Sequence, residues 1–405
     1  MGATLGKGAL SGVKVLELGT LIAGPFCTRM LGEFGAEVIK IESPDGGDPL
    51  RQWRKMHEGT SLWWSVQSRN KKSVTLNLKD PRAQAIAREL ALAADIVVEN
   101  YRPGVLEKWG LGYEALRALR PSLIMVRLSG YGQTGPMRDR PGFGAIAESM
   151  GGIRYVSGHP DRPPVRIGIS IGDSLAALHG ALGALVALRH RDQTGGRAEG
   201  QGQMVDVALY EAVFNMMESM VPEYDLYGIV RERTGGALPG IVPSNTYACA
   251  DGQSLVIAGN GDAIFKRLMA AIGRDDLAED ASLARNDGRA RRAGEIDAAI
   301  GSWTAGLGAD AALAMLEAAD VPASRIYSVA DMRHDPQFAA RGMFEEHHFA
   351  DGQPVTLPGV VPKLSETPGE TRWLGPGLGE HTDEVLAALG IDAATRAALK
   401  AEGVV

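Results

Sequence analysis

Cysteine is scarce in this chain of 405 residues: Cys27 and Cys249 lie far apart, in neither metal-ligand nor C-x-x-C spacing. That excludes a disulfide framework and fits a reducing compartment, each thiol reading as a small buried hydrophobe. An excess of positive charge is missing as well. With 42 Lys and Arg against 49 Asp and Glu, the net charge of −7 argues against general nucleic-acid binding. No apolar run is read as reaching the length of a membrane span, since the richest, residues 181–188, follows Gly180 and ends at Arg189. The first residues, MGATLGKGALSG, have no signal-peptide core and no arginine-rich amphipathic pattern. Gly6 stands where N-myristoylation needs Ser or Thr, so a cytoplasmic location is expected. Internal repeats and low-complexity segments are also missing. What is present, 45% hydrophobic and 22% charged residues, is a globular composition. The length suits two or three domains, or one large domain with an insertion.

A strand over residues 13–18 (VKVLEL), a glycine turn, a helix from Phe26 to about Gly32 and a strand over 36–41 (AEVIKI) make a βαβ unit, so a parallel sheet is the first expectation. The turn lacks the G-x-G-x-x-G dinucleotide fingerprint, which leaves a Rossmann-like sheet open without specifying its ligand. Further strands are read at 73–78, 96–99, 123–128 and 204–209, the last as a buried strand. Those at 96–99 and 123–128 open into Asn100-Tyr-Arg-Pro-Gly104 and Ser129-Gly-Tyr-Gly, the kind of strand end where open α/β sheets bind ligands. Arg51, Arg54, Lys55, Arg69, Lys71, Lys72 and Lys79 make one segment locally basic, which points to an anionic ligand or to a solvated surface. After Tyr224 a Gly- and Pro-rich crossing leads into a hairpin over 246–258 and several helices, a smaller α+β domain inserted in the larger one. Residues 322–327 read as one more strand, and a capped helix near Thr382 closes the chain.

The most informative stretch is 163–211. It sets Asp173 behind a small-residue turn at the head of a helix in which Leu175, Leu178, Leu182, Leu185, Val186 and Leu188 recur at helical spacing. A carboxylate beside free helix N–H groups is held ionised and directed, which suits a nucleophile and equally an ordinary cap. The same turn holds Gly168-Ile-Ser170-Ile-Gly172, a formal G-x-S-x-G match. A serine hydrolase using Ser170 would need the helix to begin directly after the serine, whereas Gly172 intervenes and the helix is read as starting near Asp173.

Five ordered pieces carry a family resemblance: Gly12-Val-Lys-Val-Leu with Ala23-Gly-Pro25; Gly35-Ala-Glu-Val-Ile-Lys-Ile-Glu42; Asn70-Lys-Lys-Ser73; Val98-Glu-Asn-Tyr-Arg-Pro-Gly104; and Gly172-Asp173. With the closing Gly379-Glu-His-Thr-Asp-Glu-Val, they span essentially the whole chain, which resembles class III CoA-transferases. The resemblance implies an α/β fold, a Rossmann-like doubly wound large domain plus a smaller α+β domain, in an interlocked-ring homodimer. Residues 1–224 would form the first part of the large domain, 225–330 the small one, and 331–405 a linker and return. Asp173 matches the catalytic nucleophile, and Gly259, Asn260 and Gly261 occupy the place of the glycine loop that shields the intermediates. CoA would lie along Thr20, Leu21, Ile22, Ala23, Leu76, Lys79, Asn100, Tyr101, Val105, Lys108 and Tyr131. Arg102, Lys79 and Lys108 would be available to its phosphates. Ser43 and Ser129 stand where some members carry an arginine and a lysine.

The implied chemistry transfers CoA from a donor such as succinyl-CoA to a carboxylic acid, through an aspartyl anhydride and an aspartyl-CoA thioester. It needs no metal and no permanently bound cofactor, only acyl-CoA as substrate. Residues 235–247 with 258–262 look most like members acting on dicarboxylates such as glutarate, itaconate or mesaconate. Arg233, Ser244 and Asn245 are the candidates for the second carboxylate. The rival on the same fold is a 2-methylacyl-CoA racemase, which needs a histidine as second base. Phe143 occupies that histidine's place. A non-catalytic dimeric binding protein would require Asp173 to be dispensable.

Overall fold

The computed structural model describes residues 8–405, so the Met-Gly start weighed for lipidation lies outside the described residues. Two compact units emerge. The first comprises Met1–Ile153, Ile167–Glu218 and Ala339–Val405; the second comprises Arg154–Arg166 and Ser219–Phe338. The excursion at Arg154–Arg166 therefore groups with the second unit, and Ala339–Val405 groups with the first.

The first unit is built on six parallel strands: β1 Lys14–Glu17, β2 Glu37–Glu42, β3 Lys71–Thr75, β4 Ile96–Glu99, β5 Ile124–Ser129 and β6 Met204–Ala208. Their spatial order is β3-β2-β1-β4-β5-β6, the doubly wound arrangement that reverses direction between β1 and β4. Alternating side chains serve two cores. Leu16, Val97 and Met125 face helix α2 (Pro81–Ala93) and the C-terminal residues Val404 and Val405. Val15, Val98 and Val126 face α1 (Ala23–Glu33) and α4 (Ile171–Gln193), with a shorter helix α3 (Gly144–Met150) beside them. The chain's end is stitched to β3: Asn77 donates its backbone N–H to Val404, and Trp373 its indole N–H to Lys71. β6 is an edge strand, with Met204 exposed and only Val207 and Ala208 buried, so the expected buried strand at 204–209 is buried only at its C-terminal end.

α4 shows which side of the apolar helix is buried and corrects one reading. Its buried face is made of Ala176, Ala177, Gly180, Ala184 and Ala187, while Leu178, Leu182, Leu185 and Val186 of the leucine stripe are exposed. Small residues won the inner face because α4 packs close to the sheet: a Cβ on Gly180 would come within 3.2 Å of Leu128. At 23 residues α4 is also long and apolar enough to cross a membrane, contrary to the expectation from sequence, because Gly180 does not interrupt it and it continues past Arg189. 44% of its apolar window is buried, the small-residue face against the sheet.

The second unit holds an antiparallel sheet of β7 (Ser244–Ala248), β8 (Ser254–Ala258) and β9 (Ala323–Arg325), with β8 in the centre. Its core joins Leu255 and Ile257 to Phe265 and Leu268 of α5 (Asp262–Ala271), Ile300 of α6 (Ala293–Ala305) and Leu316 of α7 (Ala309–Ala318).

Candidate active site

The strand ends at the switch point turn away from one another and leave a cleft of about 190 Å³. Thr20, Leu76, Lys79 and Tyr101 line it together with Ser43 and Trp109, so four residues expected to meet CoA are gathered in one place. Asn100 locks the turn after β1 to the turn after β4, its amide accepting from Thr20 N–H at 2.8 Å and donating to the Thr20 carbonyl at 2.8 Å. Leu21 has φ 64°, a left-handed conformation, and its N–H donates to the Asp48 carboxylate at 3.0 Å. Ile22, Ala23 and Leu76 have buried side chains, so what these positions can offer a ligand is backbone. Val105 opens a short helix, Val105–Lys108, on which Lys108 is exposed, as is Arg102 before it.

The basic segment proves mostly structural. Arg51 forks onto Glu42 at 2.8 Å, Arg69 pairs with Glu33, and Lys72 reaches Glu37 and Glu384. Lys71 is fully buried against Glu17 and the Pro25 carbonyl. Only Arg54, Lys55 and Lys79 of that set remain exposed. Alternation alone could not show that these cations answer buried carboxylates.

Asp173 sits in the first turn of α4, three residues beyond the N-cap Ser170, and its carboxylate lies against the bare α-carbon of Gly144. Any side chain at position 144 would occupy the space of that carboxylate. Phe143, 66% exposed, is the residue immediately before Gly144, so the racemase histidine's position is a neighbour of the Asp173 contact. The helix begins directly after Ser170, at Ile171 rather than near Asp173, but Ser170 is preceded by irregular chain and not by a strand, so the strand-to-helix corner of a nucleophile elbow is missing. Ser129 is buried, and its hydroxyl accepts from Gly132 N–H at 3.0 Å, holding the turn that carries Tyr131; the Tyr131 ring lies 6.3 Å from that of Tyr210.

In the second unit Gly259 donates its N–H to Pro243, Asn260 is exposed, and Gly261 caps α5. Arg289, which nothing in the sequence singles out, fixes this loop: fully buried, it donates to the carbonyls of Val242, Leu283 and Asn260 and to Asp262. In sequence it belongs to a run that reads as solvated charge, RNDGRARR. Arg233 donates to the carbonyls of Tyr155 and His159, and Asn245 donates to Asp297 at 3.0 Å. Ser244 opens β7. Both Arg233 and Asn245 therefore have partners inside the unit, and the chain after Arg233 runs beside β7, Leu238 donating its N–H to the Ser244 carbonyl.

The comparisons agree on one family. The profile of CoA-transferase family III matches residues 10–382. The chain is 51% identical over 398 residues, 98% of each protein, to succinyl-CoA--D-citramalate CoA-transferase of Chloroflexus aurantiacus. It is 34% identical over 392 residues to succinate--glutarate CoA-transferase of Agrobacterium fabrum, covering 95% of this chain and 96% of that one. Among solved structures, a CAIB/BAIF family protein from Brucella suis superposes with a TM-score of 0.82 at 34% identity, covering 94% and 99% of the two chains. With profile, sequence and fold in agreement over nearly the full length, the chain belongs to CoA-transferase family III, and it is a CoA-transferase.

Proposed function

We propose that the enzyme moves CoA from succinyl-CoA to a dicarboxylate, with Asp173 as the nucleophile. The relatives named for L-malate, D-citramalate, glutarate and mesaconate support a C4 or C5 diacid as acceptor, and the 51% identity puts D-citramalate first in the panel to be tried. The Asp173 carboxylate attacks the thioester carbonyl and CoA leaves as thiolate, forming an aspartyl-succinyl anhydride. The thiolate returns to the aspartyl carbon, succinate leaves, and an aspartyl-CoA thioester remains. The acceptor carboxylate attacks that thioester, and the second anhydride is opened by the thiolate at the acceptor's acyl carbon, which restores Asp173. Shielding by Gly259, Asn260 and Gly261, CoA contacts at the cleft and the substrate roles of Arg233, Ser244 and Asn245 belong to the same proposal. So does a cytoplasmic location, which two free, buried cysteines support.

The observation that carries the mechanism is the Asp173 carboxylate in the first turn of α4, lodged against a glycine. Exchange from succinyl-CoA to D-citramalate, L-malate, glutarate, itaconate and mesaconate tests it. Asp173→Ala should lose about a thousandfold or more in rate, and hydroxylamine should release CoA from wild-type Asp173 only. Full activity in Asp173→Ala, or scrambling of a 2-methylacyl-CoA stereocentre without exchange, overturns the assignment.

The homodimer rests on α4. Leu182 is 62% exposed and Leu178, Leu185 and Val186 lie on the same bare helix, a surface of the kind that marks an interface. Sedimentation should give a dimer for wild type and a shift toward monomer or aggregate for Leu182→Glu; a monomeric wild type at micromolar concentration refutes it.

A further inference from the structure

Beneath the cleft lies a group of buried charges that the proposed chemistry does not use. Lys40, near the end of β2, has three ammonium donors and three partners: Glu17 at 2.7 Å, Asp48 at 2.8 Å and the Gly19 carbonyl at 2.7 Å. Asp48 accepts in turn from the N–H groups of Leu21 and Leu50. Lys71 takes the second oxygen of Glu17 and the Pro25 carbonyl, while Gln67 donates to the Ile22 carbonyl. Together with Asn100 on Thr20, these contacts fix backbone groups of Gly19, Thr20, Leu21, Ile22 and Pro25 from below.

An ion network of this kind is a poor source of stability, because desolvation offsets much of the Coulombic gain and apolar side chains of equal volume often do as well. What it does supply is one conformation. The left-handed Leu21, unfavourable for a leucine, puts its N–H onto Asp48, and Asp48 is held by Lys40. We infer that Lys40 is a positioning residue for the acyl-CoA: acting through Asp48 and Gly19, it holds the turn after β1 in the shape that meets CoA. The inference rests on the reading of this cleft as the CoA site. Burial alone would lower the Lys40 ammonium, but the Asp48 and Glu17 carboxylates keep it firmly charged.

Lys40→Met keeps the chain length and removes the charge; Asp48→Asn keeps the shape and removes the partner's charge. Titration of CoA and steady-state exchange are measured on both. Lys40→Met should fold, bind CoA at least tenfold more weakly and raise the KM for succinyl-CoA by a similar factor, with the acceptor's KM moving less than threefold. Asp48→Asn should shift in the same direction by a smaller factor, and it decides the matter if Lys40→Met does not fold. CoA affinity within twofold of wild type in either folded variant overturns the inference. So does an equal loss for donor and acceptor, which is what general structural damage gives. Wild-type enzyme that fails to bind CoA overturns the reading of the cleft and this assignment with it, whereas altered variants of a CoA-binding wild type speak to Lys40 alone.

Discussion

Two buried glutamates end neighbouring strands on either side of the switch point, and they titrate in opposite directions. Glu17 on β1 has two ammonium groups on its carboxylate, Lys40 and Lys71, and also accepts from the Thr28 hydroxyl. Burial would raise it, but the two lysines bring it below its ordinary range. Glu99 on β4 has one cation, Arg127 at 2.6 Å, which is shared with Glu107, and one backbone donor, Tyr101 N–H at 2.7 Å. Here burial wins and pushes the carboxyl up to about 7. The same residue type at equal depth is ionised on one side and half protonated near neutrality on the other. The number of counter-charges decides which. Glu17 thus stays ionised across the neutral range, whereas Glu99, at the β4 turn that carries Tyr101, changes its charge there.

The strongest way to break this contrast is Glu17→Gln. It leaves Lys40 and Lys71 buried with too little negative charge, and the loss should be about 3–5 kcal/mol. Urea unfolding at pH 7 measures it, and a loss below about 1 kcal/mol would mean that the lysines shed their protons at little cost, as Lys71, already lowered to about 8, is the better placed to do. Gly144→Ala sharpens the contrast from a turn held by packing. The added methyl displaces the Asp173 carboxylate, and a misplacement of about 1 Å costs about a hundredfold in kcat. This loss should be the same at pH 6 and pH 8. A variant with wild-type kcat would show that the carboxylate relocates freely.

Much of this was legible in the sequence. The βαβ spacing pointed to the parallel sheet, and the glycine-bounded Asp173 stood out because a carboxylate at a helix head has few bland explanations once a whole-length resemblance surrounds it. The face of α4 was not legible: its large and its small apolar residues both recur at helical spacing, and only the close approach at Gly180 decides which side meets the sheet. The buried ion network had a signal that went unread, since Glu17 and Lys40 interrupt apolar strands, and a charge in such a strand must be paired if it is buried. Arg289 offered none. Nor did residues 154–166, whose membership of the second unit depends on contacts such as Gly235 N–H to the Gly158 carbonyl, far along the chain.

Glu99 gives the finest test. Its folded value near 7 lies above the ordinary 4.5, so between those values the native state holds a proton that the unfolded chain has lost. Stability tied to Glu99 is therefore fully present below about pH 4.5 and falls as pH rises toward and through 7. Between pH 5.5 and 8 the loss should be about 2 kcal/mol, since a tenfold difference in proton affinity between the folded and unfolded chain is worth about 1.4 kcal/mol. Glu99→Gln, which carries no titrating proton, should flatten that part of the slope while Glu17, ionised throughout the window, contributes nothing to it. Urea midpoints for wild type and Glu99→Gln at four pH values decide it. Parallel curves would mean that Arg127 keeps Glu99 ionised despite its burial, and that one guanidinium at 2.6 Å does the work of two lysines.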